Sequence, residues 1–173
     1  QVFAGNFPLN NPSTTGDTGI AYLFRIHENA VLPIDTNQFS NEGLYAFNHL
    51  LNGEYMVKIR LTENSTNYGN YFPTYFPDRL TWQESQMMIL SDPFYSADIQ
   101  LIPTATIASG PGCISGRVEI SRKEGGLKND NLENFEVLLL DSSGNPLTFT
   151  FTDGSGYFGF DELPYGTYRI FAD

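Results

Sequence analysis

Gly43-Leu44-Tyr45-Ala46-Phe47-Asn48-His49-Leu50-Leu51-Asn52-Gly53-Glu54-Tyr55-Met56-Val57 returns downstream as Gly156-Tyr157-Phe158-Gly159-Phe160-Asp161-Glu162-Leu163-Pro164-Tyr165-Gly166-Thr167-Tyr168-Arg169-Ile170. Glycines, aromatics and one leucine recur at a constant spacing of 113 residues. So long a period means two copies of a domain rather than a solenoid of short repeats. Within each copy Tyr45 and Phe47 alternate with Leu44 and Ala46, and Phe158 and Phe160 alternate with Tyr157 and Gly159. A period of two predicts a half-buried strand. Leu50 and Leu163 are expected to close over the core edge. Gly53 and Gly166 are expected at sharp bends, where glycine supplies positive φ. Tyr55/Val57 and Tyr168/Ile170 open the next strand.

The register extends upstream. Ala21-Tyr22-Leu23-Phe24-Arg25 aligns with Val137-Leu138-Leu139-Leu140-Asp141, and Val2-Phe3-Ala4 with Val118-Glu119-Ile120, both at a spacing of 116. The three-residue difference falls in the intervening hairpin, where insertions cost least. In the second copy that hairpin is Asp141-Ser142-Ser143-Gly144-Asn145-Pro146, followed by the alternating Leu147-Thr148-Phe149-Thr150-Phe151-Thr152.

Of 173 residues, 40% are hydrophobic and 14% aromatic, enough to pack two small cores rich in Phe and Tyr. No long stretch has helical periodicity; Trp82-Gln83-Glu84-Ser85-Gln86-Met87-Met88 is the best candidate for one or two helical turns. The fold class is therefore all-β: two tandem antiparallel β-sandwich domains. Domain 1 spans 1–103 and ends in the alternating Ala97-Asp98-Ile99-Gln100-Leu101-Ile102. Residues 104–111, small and uncharged, form the linker. Domain 2 spans 112–173 and has no counterpart of that last strand, so it reads as truncated or as completed by another segment. An open edge of this kind invites strand pairing. Gln1 opens almost within a strand, as in a mature or excised piece of something longer.

The net charge is −11 with nine Lys and Arg. That balance argues against nucleic acid and anionic membrane surfaces as partners. No secretory leader or membrane-length apolar run is present in the sequence. The single cysteine, Cys113, permits no intrachain disulfide and is expected to be a small buried apolar residue.

The second copy contains Asp-Gly-x-Gly-x-aromatic-x-Phe as Asp153-Gly154-Ser155-Gly156-Tyr157-Phe158-Gly159-Phe160, then Leu163-Pro164-Tyr165-Gly166-Thr167-Tyr168. This pattern resembles prealbumin-like β-sandwich modules, the collagen-adhesin B-type and carboxypeptidase regulatory-like domains, strongly over 112–173 and more loosely over 1–60. Residues 68–103 resemble the longer variant found in large secreted proteins of Bacteroidetes bacteria. The resemblance implies a stalk or spacer beside other domains of the same polypeptide, in a secreted or cell-surface bacterial protein. It also implies that the motif residues build turns and core. Some relatives form a Lys–Asn isopeptide bond from an early core-facing Lys. Val2-Phe3-Ala4 offers none, and Lys58, Lys123 and Lys128 lie elsewhere.

The residues give no reason to expect an enzyme. His27 and His49 are far apart and lack a cysteine partner; His49 aligns with Glu162 and reads as an exposed turn position. Gly-x-Ser-x-Gly is absent, and no carboxylate pair is singled out among twenty acids. No cofactor is required. Calcium is the one candidate, through oxygen ligands such as Asp130, Asp141 and Asp153, although ordinary turn chemistry uses the same residues. The crowded aromatics Tyr68, Tyr71, Phe72, Tyr75, Phe76 and Trp82 allow a second function, an adhesive or carbohydrate-binding module. There Tyr71, Tyr75 and Trp82 would contact glycans or surface proteins. The alternative is that they cap an open sandwich end.

Overall fold

The computed structural model describes residues 1–9, 16–28, 30–91, 95–119 and 132–173. The chain divides into two compact units, Gln1–Pro103 and Thr104–Asp173. Both are built of strands. Among the described residues the helical elements are short 3-10 turns at Asn41–Gly43 and Tyr68–Asn70.

In unit 1 a small sheet runs β2 (Phe7–Pro8), β1 (Val2–Ala4), β8 (Ile99–Leu101). β1 pairs antiparallel with β2 but parallel with β8, Val2 lying opposite Ile99. The expectation of purely antiparallel pairing is corrected at this point. The larger sheet runs β4 (Ala30–Phe39), β3 (Gly19–His27), β5 (Gly53–Leu61), with β6 (Thr74–Tyr75) and β7 (Met88–Leu90) both on the far edge of β5. Period-two alternation sends Tyr55, Val57, Ile59 and Leu61 into one core with Ala21 and Leu23. Val2, Ile99 and Leu101 reach that core from the small sheet. Burying a side chain such as Val57 or Ile59 contributes about 1.5–3 kcal/mol.

In unit 2, β9 (Gly112–Arg117) pairs with β12 (Tyr157–Leu163), and β10 (Glu136–Leu140) lies between β11 (Pro146–Phe151) and β13 (Arg169–Ala172). Val137, Leu139, Phe160 and Leu163 form the buried core, with Ile114, Val118, Leu147, Phe158 and Tyr168 packed against it. The segment expected as a linker is bonded into this unit: Ala105 N–H donates to Leu147 O at 2.9 Å, and Gly110 N–H to Glu162 O at 2.8 Å.

Several of the repeated residues adopt matching local geometry in the two units. The Tyr55 hydroxyl donates to Leu51 O at 2.6 Å and the Tyr168 hydroxyl to Pro164 O at 2.8 Å, four residues back in each case. The rings of Tyr45 and Phe47 meet edge-on at 6.0 Å, and those of Phe158 and Phe160 at 6.2 Å. Gly43 and Gly156 have φ of 63° and 83°. A Cβ on either would lie 2.8 Å from Val2 O or 2.6 Å from Val118 O. His49 and Glu162, aligned at the same spacing, both have positive φ, 59° and 55°.

Several expectations are corrected. Positive φ belongs to His49 and Glu162, not to Gly53 and Gly166. Gly53 instead opens β5, and a Cβ on Gly166 would press the Tyr168 ring at 3.4 Å. Cys113 is exposed, because β9 alternates with Ile114 packed on the core, which turns Cys113 to the other face. Residues 82–88 form a turn rather than helix, Ser85 N–H bonding Trp82 O at 3.2 Å before Met88 enters β7. Tyr45 and Phe47 pack as expected but lie outside any strand, since both edges of β1 are taken by β2 and β8. In unit 2 the strand at this position is β9, which ends at Arg117, so Val118 and Glu119 follow it. Ile120, Lys123 and Lys128 lie outside the described residues.

Candidate functional site

With Val57 and Ile59 committed to the core, Lys58 and Arg60 face the opposite side of the large sheet. Across the ladder Tyr22 lies opposite Lys58, and Phe24 opposite Met56. The Arg60 guanidinium sits 5.6 Å from the Tyr22 ring centroid. The Lys58 ammonium is 4.5 Å from the Tyr75 ring centroid and donates to its hydroxyl at 3.2 Å. Cations over ring faces gain from the aromatic quadrupole while their stems cover apolar surface.

The segment after β6 brings Trp82 to this face. Tyr75 and Arg79 exchange backbone bonds at 2.7 and 2.9 Å, and Gln86 N–H donates to Phe76 O at 3.0 Å. The turn between is held by Glu84 N–H to Thr81 O at 3.2 Å. Phe24, Val31, Tyr75 and Trp82 then line an open depression of about 280 Å³. Trp82 is 43% exposed, whereas Tyr75 is only 6% exposed. Trp82 is therefore the more exposed ring of the depression, and Tyr75 forms its floor. An indole face can stack on the apolar face of a sugar ring.

Of the three residues singled out for ligand contact, the fold brings Tyr75 and Trp82 together. Tyr71 is elsewhere: half-buried against the core and bridged to Pro103. Nearby Tyr68 has its phenol pKa raised, first by burial and then by the Glu63 charge, with Arg60 opposing. Phe24 and Val31 were not singled out. The available signal was the alternation Tyr22-Phe24 on the face opposite Ala21-Leu23.

The candidate calcium ligands are placed differently. Asp141 Oδ1 accepts from Ser143 and Asn145 N–H at 2.8 and 2.9 Å, and its Oδ2 accepts from the Asn145 amide at 2.8 Å. The Asn145 amide, then backbone donors, hold its carboxyl below the usual range. Asp153 Oδ1 likewise accepts from Ser155 and Tyr157 N–H at 2.8 and 3.0 Å. Each aspartate is followed three residues later by a positive-φ glycine, Gly144 or Gly156. These are matching aspartate-capped turns, in which the Oδ1 of each aspartate accepts two backbone N–H groups. Asp130 lies outside the described residues. Among the described residues no three His, Cys, Asp or Glu converge to hold a metal. His27 sits 3.9 Å from Glu28 at the surface, and His49 is exposed.

No protein-family model matches the chain, and no solved structure matches it. Among curated proteins it is similar to Colossin-A of Dictyostelium discoideum, at 32% identity over 141 residues. The match covers 79% of this chain but 1% of that protein, so the chain spans about one hundredth of the length of the relative it matches.

Proposed function

We propose that the chain is a non-catalytic structural segment: two tandem prealbumin-like β-sandwich modules spacing other domains of a secreted or cell-surface polypeptide. The observation that carries this reading is the repeated internal geometry. The residues that recur at 113, namely Gly43/Gly156, Tyr55/Tyr168 and Phe47/Phe160, are occupied in backbone bends, backbone-bound hydroxyls and core packing. A motif spent on architecture leaves its side chains no reacting partner. Similarity to a short part of a far longer protein agrees with a segment used within a large polypeptide. The test is replacement. In the polypeptide that carries it, residues 1–173 are exchanged for an unrelated β-domain pair of equal length. Function is expected to survive exchange and to fail on deletion. Failure of both would overturn the spacer reading.

A second reading rests on the exposed indole over Phe24, Val31 and Tyr75. Here unit 1 is an adhesive module that stacks sugar rings on Trp82. A glycan array probed with the chain and with Trp82→Ala tests it. Binding that falls by about tenfold or more in the variant, as expected for a lost stacking platform, supports the reading. Silence of both proteins removes it.

A further inference from the structure

β13 and β5 hold the same place in their sheets. Leu139 lies opposite Ile170 as Leu23 lies opposite Val57, and Val137 opposite Ala172 as Ala21 opposite Ile59. Directly opposed residues of an antiparallel pair share a sheet face. Ile170 and Ala172 therefore point to the same side as the buried Leu139 and Val137. Yet Ile170 is 41% exposed where Val57 is 2% exposed. Ala172 is exposed where Ile59 is fully buried.

The difference lies on the far edge. β5 carries β7 along Gly53, Glu54 and Tyr55, and β6 along Lys58 and Ile59. Between them Phe76 N–H donates to Val57 O at 3.0 Å. Phe76 and Met88 from this added layer enter the core of unit 1. Among the described residues β13 pairs with β10 alone. At the 113 spacing, the matching edge positions are 166–168 and 171–172. A row of backbone groups beside an uncovered Ile and Phe is a template for strand addition.

We infer that the outer edge of β13 is a docking site for an extended polypeptide strand that is apolar at alternate positions. The strand adds antiparallel to Arg169–Ala172, as β6 adds to β5. Unit 1 supplies the chemistry of the occupant: Thr74-Tyr75-Phe76 and Met88-Ile89-Leu90, with Phe76 of the first and the alternate Met88 and Leu90 of the second packed on the core. Main-chain bonds provide affinity, and the apolar side chain over Ile170 sets register. Self-pairing of β13 is a poorer solution, because it brings together two chains of net charge −11.

The test uses the full chain and a synthetic peptide of residues 71–90, read by amide hydrogen exchange. Saturating peptide is expected to slow exchange of Arg169–Ala172 by about tenfold or more. The effect should vanish with Ile170→Lys, and with a peptide carrying Phe76→Asp and Met88→Asp. A second arrangement removes the limit of a weak intermolecular affinity. Residues 61–103 are appended after Asp173, which stands at the position of Arg60 at the 113 spacing. β13 should then be protected with no peptide added. Unchanged exchange in the appended chain, with the β3–β5 ladder of unit 1 intact, overturns the inference. So does equal protection in Ile170→Lys. Concentration-dependent protection without peptide, with a dimer in sedimentation, also overturns it and makes a second copy the occupant.

Discussion

The two units place homologous residues in the same register and surround them differently. Thirteen hydrophobics are buried in the core of unit 1 and four in that of unit 2, among the described residues. The shared part, Gly43/Gly156 through Tyr55/Tyr168, is local: bends, a hydroxyl bonded four residues back, an edge-on ring pair. The unshared part includes the layer that 68–103 adds to unit 1, which supplies Phe76, Met88, Ile99 and Leu101 of the thirteen. The repeated bends and part of the core of unit 1 thus reside in separate segments. The bends set where strands go, and the added layer covers the far edge of β5.

The largest expected effect sets the two β strands against each other. Ile59→Ala should destabilise unit 1 by about 2–5 kcal/mol, the cost of a core cavity, whereas Ile170→Ala should cost unit 2 less than about 1 kcal/mol. Denaturant unfolding followed by unit-specific NMR signals measures both, and equal losses would break the contrast. Next come the glycines. Gly43→Ala and Gly156→Ala should each cost about 1–3 kcal/mol, since a Cβ at positive φ also meets a carbonyl oxygen. A cost in one unit only would end their equivalence. Smaller again, Tyr55→Phe and Tyr168→Phe should each lose about 0.5–1.5 kcal/mol with unchanged spectra, one hydroxyl bond apiece.

The smallest effect is in acid and belongs to the hairpin of unit 2. Hydrogen bonds from Asn145, chiefly its side-chain amide, hold the Asp141 carboxyl below the ordinary aspartate value of 3.8. A lowered folded-state pKa contributes stability that is present above 3.8 and is lost as pH falls through the lowered value. Carboxyl NMR titration should place the Asp141 midpoint below 3.8, and Asn145→Ala should move it upward.

The all-β class and the repeated bends were legible because glycine, aromatic alternation and Asp-x-x-Gly turns are local signals. The owner of the left-handed residue was not. The segment bends under either assignment, and it is the folded backbone that gives positive φ to His49 and Glu162 while Gly53 starts a strand. Alternation fixes two faces without naming the inner one, so the burial expected of Cys113 falls instead to Ile114. The parallel pairing of Val2 with Ile99 left no trace in sequence, being a contact between distant segments. At the candidate site, aromatic density pointed to Tyr75 and Trp82. Phe24 and Val31 come from other strands, and packing alone unites them.

That parallel pair has a consequence for load. Val2–Ala4 and Ile99–Leu101 run side by side in one direction and are the first and last strands of unit 1. A pull entering ahead of Val2 and leaving beyond Leu101 slides the two strands past each other, so their backbone bonds bear the strain together in shear instead of unzipping one at a time.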